Sequence, residues 1–120
     1  MILPALRLLG VNKLDRLILS HRDSDHVGGA QTVLQALPVL AVIGADYGDC
    51  TPPIQFDADG VYFKVFQVMQ TDNDNNSSCL LRIKGNNFDI LLTGDIEWAA
   101  EYELIQRSIG RVDLITVPHH

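Results

Sequence analysis

The stretch Ser20-His21-Arg22-Asp23-Ser24-Asp25-His26-Val27-Gly28-Gly29, directly after the apolar run Leu17-Ile18-Leu19, constrains this chain more than any other. The apolar run reads as a buried strand, which holds its backbone still. The loop after it carries two imidazoles and two carboxylates and can aim several donors at one ion, the order of events a metal site needs. The Gly28-Gly29 pair then lets the chain turn sharply into a helix. The chain has four histidines, and all lie in this loop or in the terminal pair His119-His120. Imidazoles used for ordinary packing would be scattered, so their confinement to the ends of two strand-like runs points to a shared site. The competing account has His21 and His26 capping the helix or bonding the loop.

With 120 residues and 47% apolar content, the chain fits one domain with a real core, and disorder is excluded. No apolar run approaches the ~20 residues of a spanning helix, and Met1-Ile2-Leu3-Pro4 lacks the basic and long apolar regions of a signal peptide, so the stretch itself is expected to be soluble. A net charge of −6 is the wrong sign for gripping nucleic acid through the general surface. Bound cations would neutralise Asp23, Asp25 and Asp95, so part of that charge belongs to the proposed site. Cys50 and Cys79 show neither metal nor redox spacing, and nothing in their contexts supports a disulfide.

Taken in order, residues 2–10 are apolar enough for a buried helical turn or two that Gly10 ends, and the abrupt start suggests a longer natural sequence. Residues 14–20 read as a strand. Residues 30–37 place Ala30, Val33, Leu34 and Leu37 on one helical face before Pro38, and residues 39–43 are a second strand. A strand, helix, strand unit favours a parallel pair. Residues 44–53 are loop by composition, at one edge of the site; residues 60–69 are a strand rich in β-branched and aromatic side chains. The polar run 71–78 reads as a solvated turn. Residues 79–84 and 88–92 form a hairpin through Gly85-Asn86-Asn87, ending at Thr93-Gly94-Asp95. Asp95 has the same placement as the first loop, after a buried run and a glycine; its alternative role is to cap the following helix. That helix covers residues 97–108, with Trp98, Glu101, Tyr102 and Ile105 along one side, and residues 112–117 are a last strand before His119 and His120. Three strand ends thus deliver histidines or aspartates to one place.

The ordered motifs S-H-x-D-x-D-H-x-G-G, L-T-G-D and V-P-H-H, with Asn75 to Ser78 between them, resemble the metallo-β-lactamase superfamily and within it the ComEC-type competence proteins. Two positions depart from the usual superfamily pattern: Asp23 stands where a histidine is common, and a third histidine near residues 73–77 is absent. ComEC-type sequences share both changes. The family's opening half and the Gly-Ser after the histidine pair are missing too, so the resemblance implies residues 1–120 of a metallo-β-lactamase-like domain truncated at both ends, an α/β αββα sandwich represented in part by a mixed β-sheet with flanking helices.

The resemblance also implies chemistry. His21, Asp23, Asp25, His26, Asp95 and one of His119 or His120 would hold two divalent ions, zinc or manganese with magnesium as a third candidate. Asp95 would bridge them. His120 is the favoured ligand, leaving His119 to bond or protonate a substrate phosphate, with the order of the two left open. Asp25 would offset the ions' charge and orient the attacking hydroxide. Ions about 3.5–4 Å apart would bring water to near-neutral pKa and clamp a phosphodiester for in-line attack. The carboxylate at Asp23 makes the ligand set harder, which admits manganese or magnesium beside zinc. The implied setting is DNA uptake: a nuclease acting on single-stranded DNA or incoming duplex, in a bacterial inner-membrane protein whose membrane segments leave this domain outside the cytoplasm. Hydrolysis of another phosphoester or ester, or a catalytically degenerate DNA-uptake module, are the rival readings. With one covering layer missing, an exposed sheet face is expected to drive self-association.

Overall fold

The computed structural model describes residues 2–118; the expectations for His119 and His120 fall outside the described residues. Two sheets carry the fold. β1 (Leu14–Ile18) and β2 (Val39–Ile43) form a parallel pair in which Ile18 lies opposite Ile43, as the strand, helix, strand reading requires. Between them run a single turn, α2 (Ser24–Val27), and a helix, α3 (Ala30–Ala36), whose Ala30 and Val33 are buried. The second sheet has the order β3-β4-β5-β6-β7, from β3 (Ile54–Ala58), β4 (Val61–Phe66), β5 (Leu80–Lys84), β6 (Asp89–Leu92) and β7 (Leu114–Ile115). It is antiparallel except for the β6–β7 pair.

Strand alternation sorts the larger sheet's side chains onto two covered faces. Val65, Cys79 and Leu81 face Ile18, Ile43 and Cys50 of the first sheet's side. Their neighbours Phe66, Leu80 and Leu91 face the opposite way, onto Ile96, Ala100 and Leu104 from the helix α4 (Trp98–Gln106) and the turn before it. Leu80 and Leu91 are completely enclosed, so truncating either to alanine is expected to cost about 2–5 kcal/mol. Arg16 of β1 lays its guanidinium 3.8 Å from the ring centre of Phe56, which stacks on its cross-strand neighbour Phe63.

Several expectations change. The first helix, α1 (Ile2–Leu8), forms, but none of its residues is buried. Trp98, Tyr102 and Ile105 do share one side of α4, and it is the outer one; Ala100 and Leu104 pack inward. β3 is hard to see in sequence because only Ile54 and Phe56 mark its inner face. The last strand pairs over two residues only. The β1–β2 layer covers the face of the larger sheet that carries Val65, Cys79 and Leu81, while β2 itself leaves Leu40 73% exposed; further large exposed apolar side chains sit on α1, the outer side of α4, the β7 edge and at Tyr47 and Phe88.

Gly44 is needed where the two strands of the first sheet end. Its φ of 88° and ψ of 179° belong to a region that essentially only glycine occupies, and a Cβ there would lie 2.0 Å from the Leu19 carbonyl oxygen. This close approach fixes the backbone immediately before the histidine loop.

Candidate metal centre

The loop after β1 and the loop after β6 meet where the two sheets come together. His21 is buried, 2% exposed, and Asp95 is 4% exposed. Nε2 of His26 lies 3.1 Å from Asp95 Oδ2, and Nε2 of His21 lies 3.8 Å from the same oxygen. The imidazole rings are 4.1 Å apart, tilted by 47°. One ligand atom from each of His21, His26 and Asp95 falls within 4.8 Å of the others. Nε2 of His21 has no hydrogen-bond partner despite its burial. An orphaned buried nitrogen is costly unless something else is to occupy the space it faces, and a divalent cation is the natural occupant of a pocket walled by two imidazoles and a carboxylate.

Asp23 and Asp25 stand at the rim. Asp23 Oδ2 is 3.6 Å from Nε2 of His21, and Asp25 Oδ2 is 3.6 Å from Nε2 of His26, with their side chains 50% and 59% exposed. They are within reach of the cluster without belonging to its tight core. Neither imidazole caps a helix: Asp23 is the N-cap of α2 and uses no side-chain bond to do so, while both Nδ1 atoms point to Ser20. Asp95 is not a cap either, because Glu97 is the N-cap of α4. Gly28 and Gly29 both keep right-handed backbone, so the passage from α2 to α3 needs no sharp left-handed turn; Gly28 is there for space, since a Cβ would come 2.4 Å from the Ser24 carbonyl oxygen.

The polar run 71–78 does turn, with residues 71–73 exposed, and it is also a clamp. The side-chain amides of Asn73 and Asn75 donate to the two carboxylate oxygens of Glu97, each at 3.0 Å, and the Glu97 N–H donates to Asn76 Oδ1 at 2.9 Å. Asp74 accepts from the backbone N–H of Arg22 at 2.6 Å, and the Arg22 guanidinium reaches Asp46 as well. These carboxylates hold the Arg22 guanidinium above its usual pKa, mainly through the Asp46 hydrogen bond. At the other end of the run, the Cys79 N–H donates to the Ser20 carbonyl at 2.7 Å. Loops from both sheets are thus tied together around His21, His26 and Asp95. Asparagine-rich composition was the available signal, but it does not tell a turn from a clamp.

Cys50 and Cys79 are joined in a disulfide, which their spacing gave no reason to expect. It links the loop after β2 to the start of β5, and both residues are buried. Two clefts flank the centre. A polar one of about 290 Å³ is lined by His21, Arg22, Asp49, Gln67 and Asp74. The other, about 400 Å³ and more apolar, is lined by Ile18, His26, Leu81, Leu92, Asp95 and Val117.

Comparison with known proteins agrees with this fold. The model of the family described as the metallo-beta-lactamase superfamily matches residues 1–53, which include the histidine loop. Among solved structures, the metallo-beta-lactamase fold protein YhfI from Bacillus subtilis superposes with a TM-score of 0.54 at 15% identity, covering 92% of this chain and 53% of that one. A CmlA beta-hydroxylase E377D mutant superposes with a TM-score of 0.56 at 13% identity, over 87% of this chain and 26% of that one. Recombination protein 2 of Haemophilus influenzae is 36% identical over 129 residues, covering 99% of this chain and 16% of the relative. Competence protein ComA of Neisseria gonorrhoeae is 33% identical, covering 99% of this chain and 18% of the relative. The chain belongs to the metallo-β-lactamase superfamily and, within it, to the ComEC type. This superfamily member therefore spans less than a fifth of the length of these relatives.

Proposed function

We propose that the chain is the metal-dependent hydrolytic domain of a ComEC-like competence protein, cleaving DNA phosphodiesters during uptake. The observation that carries this reading is the buried, unpartnered Nε2 of His21 facing the same carboxylate oxygen as Nε2 of His26. His21, Asp23, Asp25, His26, Asp95 and His120 would hold two divalent ions, zinc or manganese or magnesium. Such ions supply Lewis acidity, lowering the pKa of water and offsetting charge on a phosphoryl oxygen. Asp95 brings a nearly enclosed carboxylate between the two imidazoles, and the exposed Asp25 stands beside His26, open to an attacking water. His119 would donate a proton to, or bond, the substrate phosphate.

The names of the relatives support a competence role, and the remainder of such a protein would supply membrane segments and bring single-stranded DNA or incoming duplex to the site. Delivery by other parts suits the net charge of −6, which works against DNA binding by this surface alone. The Cys50–Cys79 disulfide supports a place outside the cytoplasm, where such bonds persist. No helix among the described residues is long and apolar enough to cross a membrane. The exposed apolar side chains on α4 and β7 support self-association of the isolated chain.

The test is DNA cleavage with added manganese, magnesium or zinc, paired with thermal melting. Asp25→Ala and Asp95→Ala are each expected to abolish cleavage; for Asp25→Ala the fold should be retained, because the carboxylate is exposed. Full cleavage by Asp25→Ala would remove this loop from the chemistry. Cleavage of another phosphoester but not DNA would favour the broader hydrolase reading.

A further inference from the structure

One hydroxyl touches both imidazoles. Ser20 Oγ lies 3.0 Å from Nδ1 of His21 and 2.9 Å from Nδ1 of His26. Its backbone is fixed by the Cys79 N–H on its carbonyl. Its side chain sits against Gly94, where a Cβ would come 3.0 Å from Ser20 Cβ. The hydroxyl is therefore held in place from both sheets.

A histidine that offers Nε2 to a cation carries its proton on Nδ1, and that proton needs an acceptor. Separate carboxylates or carbonyls usually serve each ring. A hydroxyl has two acceptor lone pairs and one proton, enough to serve two rings in either of two patterns. A carboxylate only accepts, so the 3.1 Å contact from His26 Nε2 to Asp95 places a proton on that Nε2. Nδ1 of His26 then accepts the Ser20 hydroxyl hydrogen, and the Ser20 oxygen accepts Nδ1–H of His21. This leaves Nε2 of His21 as a bare lone pair, 3.6 Å and 3.8 Å from carboxylate oxygens that can only accept, the form in which it can take a cation.

We propose that Ser20 is a positioning residue that sets the tautomers of His21 and His26 as a pair. In the ion-free protein it keeps Nε2 of His21 unprotonated. When His26 also turns its Nε2 lone pair to a cation, its Nε2 proton passes to solvent and Nδ1 takes one up, so the hydroxyl, until then donor to His26 and acceptor from His21, accepts from both rings and turns its own hydrogen away from them. The second step rests on the metal-centre reading above; the first does not.

The experiment uses the chain with 15N-labelled histidine, above the ordinary histidine pKa range. Long-range nitrogen–proton correlation spectra are recorded without divalent ions and with zinc, for wild type, Ser20→Ala and Ser20→Thr, with zinc affinity measured by calorimetry. The ion-free wild type should show His21 as the Nδ1–H tautomer and His26 as Nε2–H, and zinc should convert both to Nδ1–H. Ser20→Ala should lose the His21 preference and roughly 10–100-fold in zinc affinity. Ser20→Thr, which keeps the hydroxyl, should retain both. Unchanged tautomers and affinity in Ser20→Ala overturn the proposal. So does an equal affinity loss in both variants with wild-type tautomers, which marks packing as the cause. Imidazole signals that ignore zinc in the wild type defeat the metal centre and the role reversal with it. The ion-free spectra still decide the His21 assignment, and an Nε2–H tautomer there overturns it.

Discussion

Reduction of the Cys50–Cys79 bond should cost this domain much of its stability, and the size can be worked from the chain separation of 29 residues. In the chain-entropy treatment, closing a loop of that length removes about 12 cal/mol/K from the unfolded ensemble, or about 3.5 kcal/mol at room temperature. Both cysteines are buried, and Cys79 shares a core cluster with Ile43 and Val65, so the native structure keeps its packing when the bond is absent. The loss should therefore fall on the unfolded side. With an unfolding entropy near 2.1 cal/mol/K per residue, 3.5 kcal/mol corresponds to roughly 14 °C in Tm. The assay is urea and thermal unfolding of the oxidised chain, the same chain with reductant, and Cys50→Ala/Cys79→Ala. A urea midpoint lower by about 1.5–2 M is expected at an m-value near 2 kcal/mol/M, with m itself rising as the unfolded chain expands. Two freely titrating thiols in the unreduced native protein, or an unchanged midpoint on reduction, would refute the argument.

Gly44→Ala should destabilise by at least about 2 kcal/mol, because the added Cβ meets backbone and the φ of 88° disfavours any side chain; denaturant unfolding would show it, and a shift below ~0.5 kcal/mol would mean that the β1–β2 ends move apart freely. Asp89→Asn should cost roughly 2 kcal/mol near neutrality, since Asp89 accepts two bonds from Arg82, at 2.9 and 2.7 Å. Those hydrogen bonds, followed by the guanidinium charge, hold the Asp89 carboxyl below its ordinary pKa against the opposing effect of burial. A depressed folded pKa means the stabilisation is fully present above the unfolded carboxylate pKa and is lost as pH falls through the folded value, so wild type and Asp89→Asn should converge below about pH 4. Thermal melts from pH 7 to pH 2 that stay parallel would contradict this.

Much of the fold was legible because periodicity and turn chemistry agreed. Residues 39–43 form a strand with the expected bounds, and the β5–β6 hairpin and the parallel β1–β2 pair follow from composition and connection length. Within the site, the grouping of His21 and His26 with Asp95 was legible because each follows an apolar strand. What was hidden depends on distance in space. The grip of Asn73, Asn75 and Asn76 on Glu97 joins residues more than twenty positions apart, and no local pattern announces it. The outward turn of Trp98 and Tyr102 was hidden because aromatic residues signal apolar character without saying which side of α4 meets the sheet. Ser20 was part of the motif, but a serine's bonding partners cannot be read from its neighbours in sequence.

The candidate ligand atoms come from two different layers: His21 and His26 hang from the end of the β1–β2 sheet, Asp95 from the end of β6. The spacing within the cluster is therefore a gauge of how the two layers sit on each other. A side chain wedged between them at Ile43 or Val65 would slide one layer against the other and spread Nε2 from Oδ2. Since coordination tolerates errors of only about 0.5 Å, the interlayer core would set the affinity for any ion at this site from a distance, and an ion held by both layers would in turn lock their alignment.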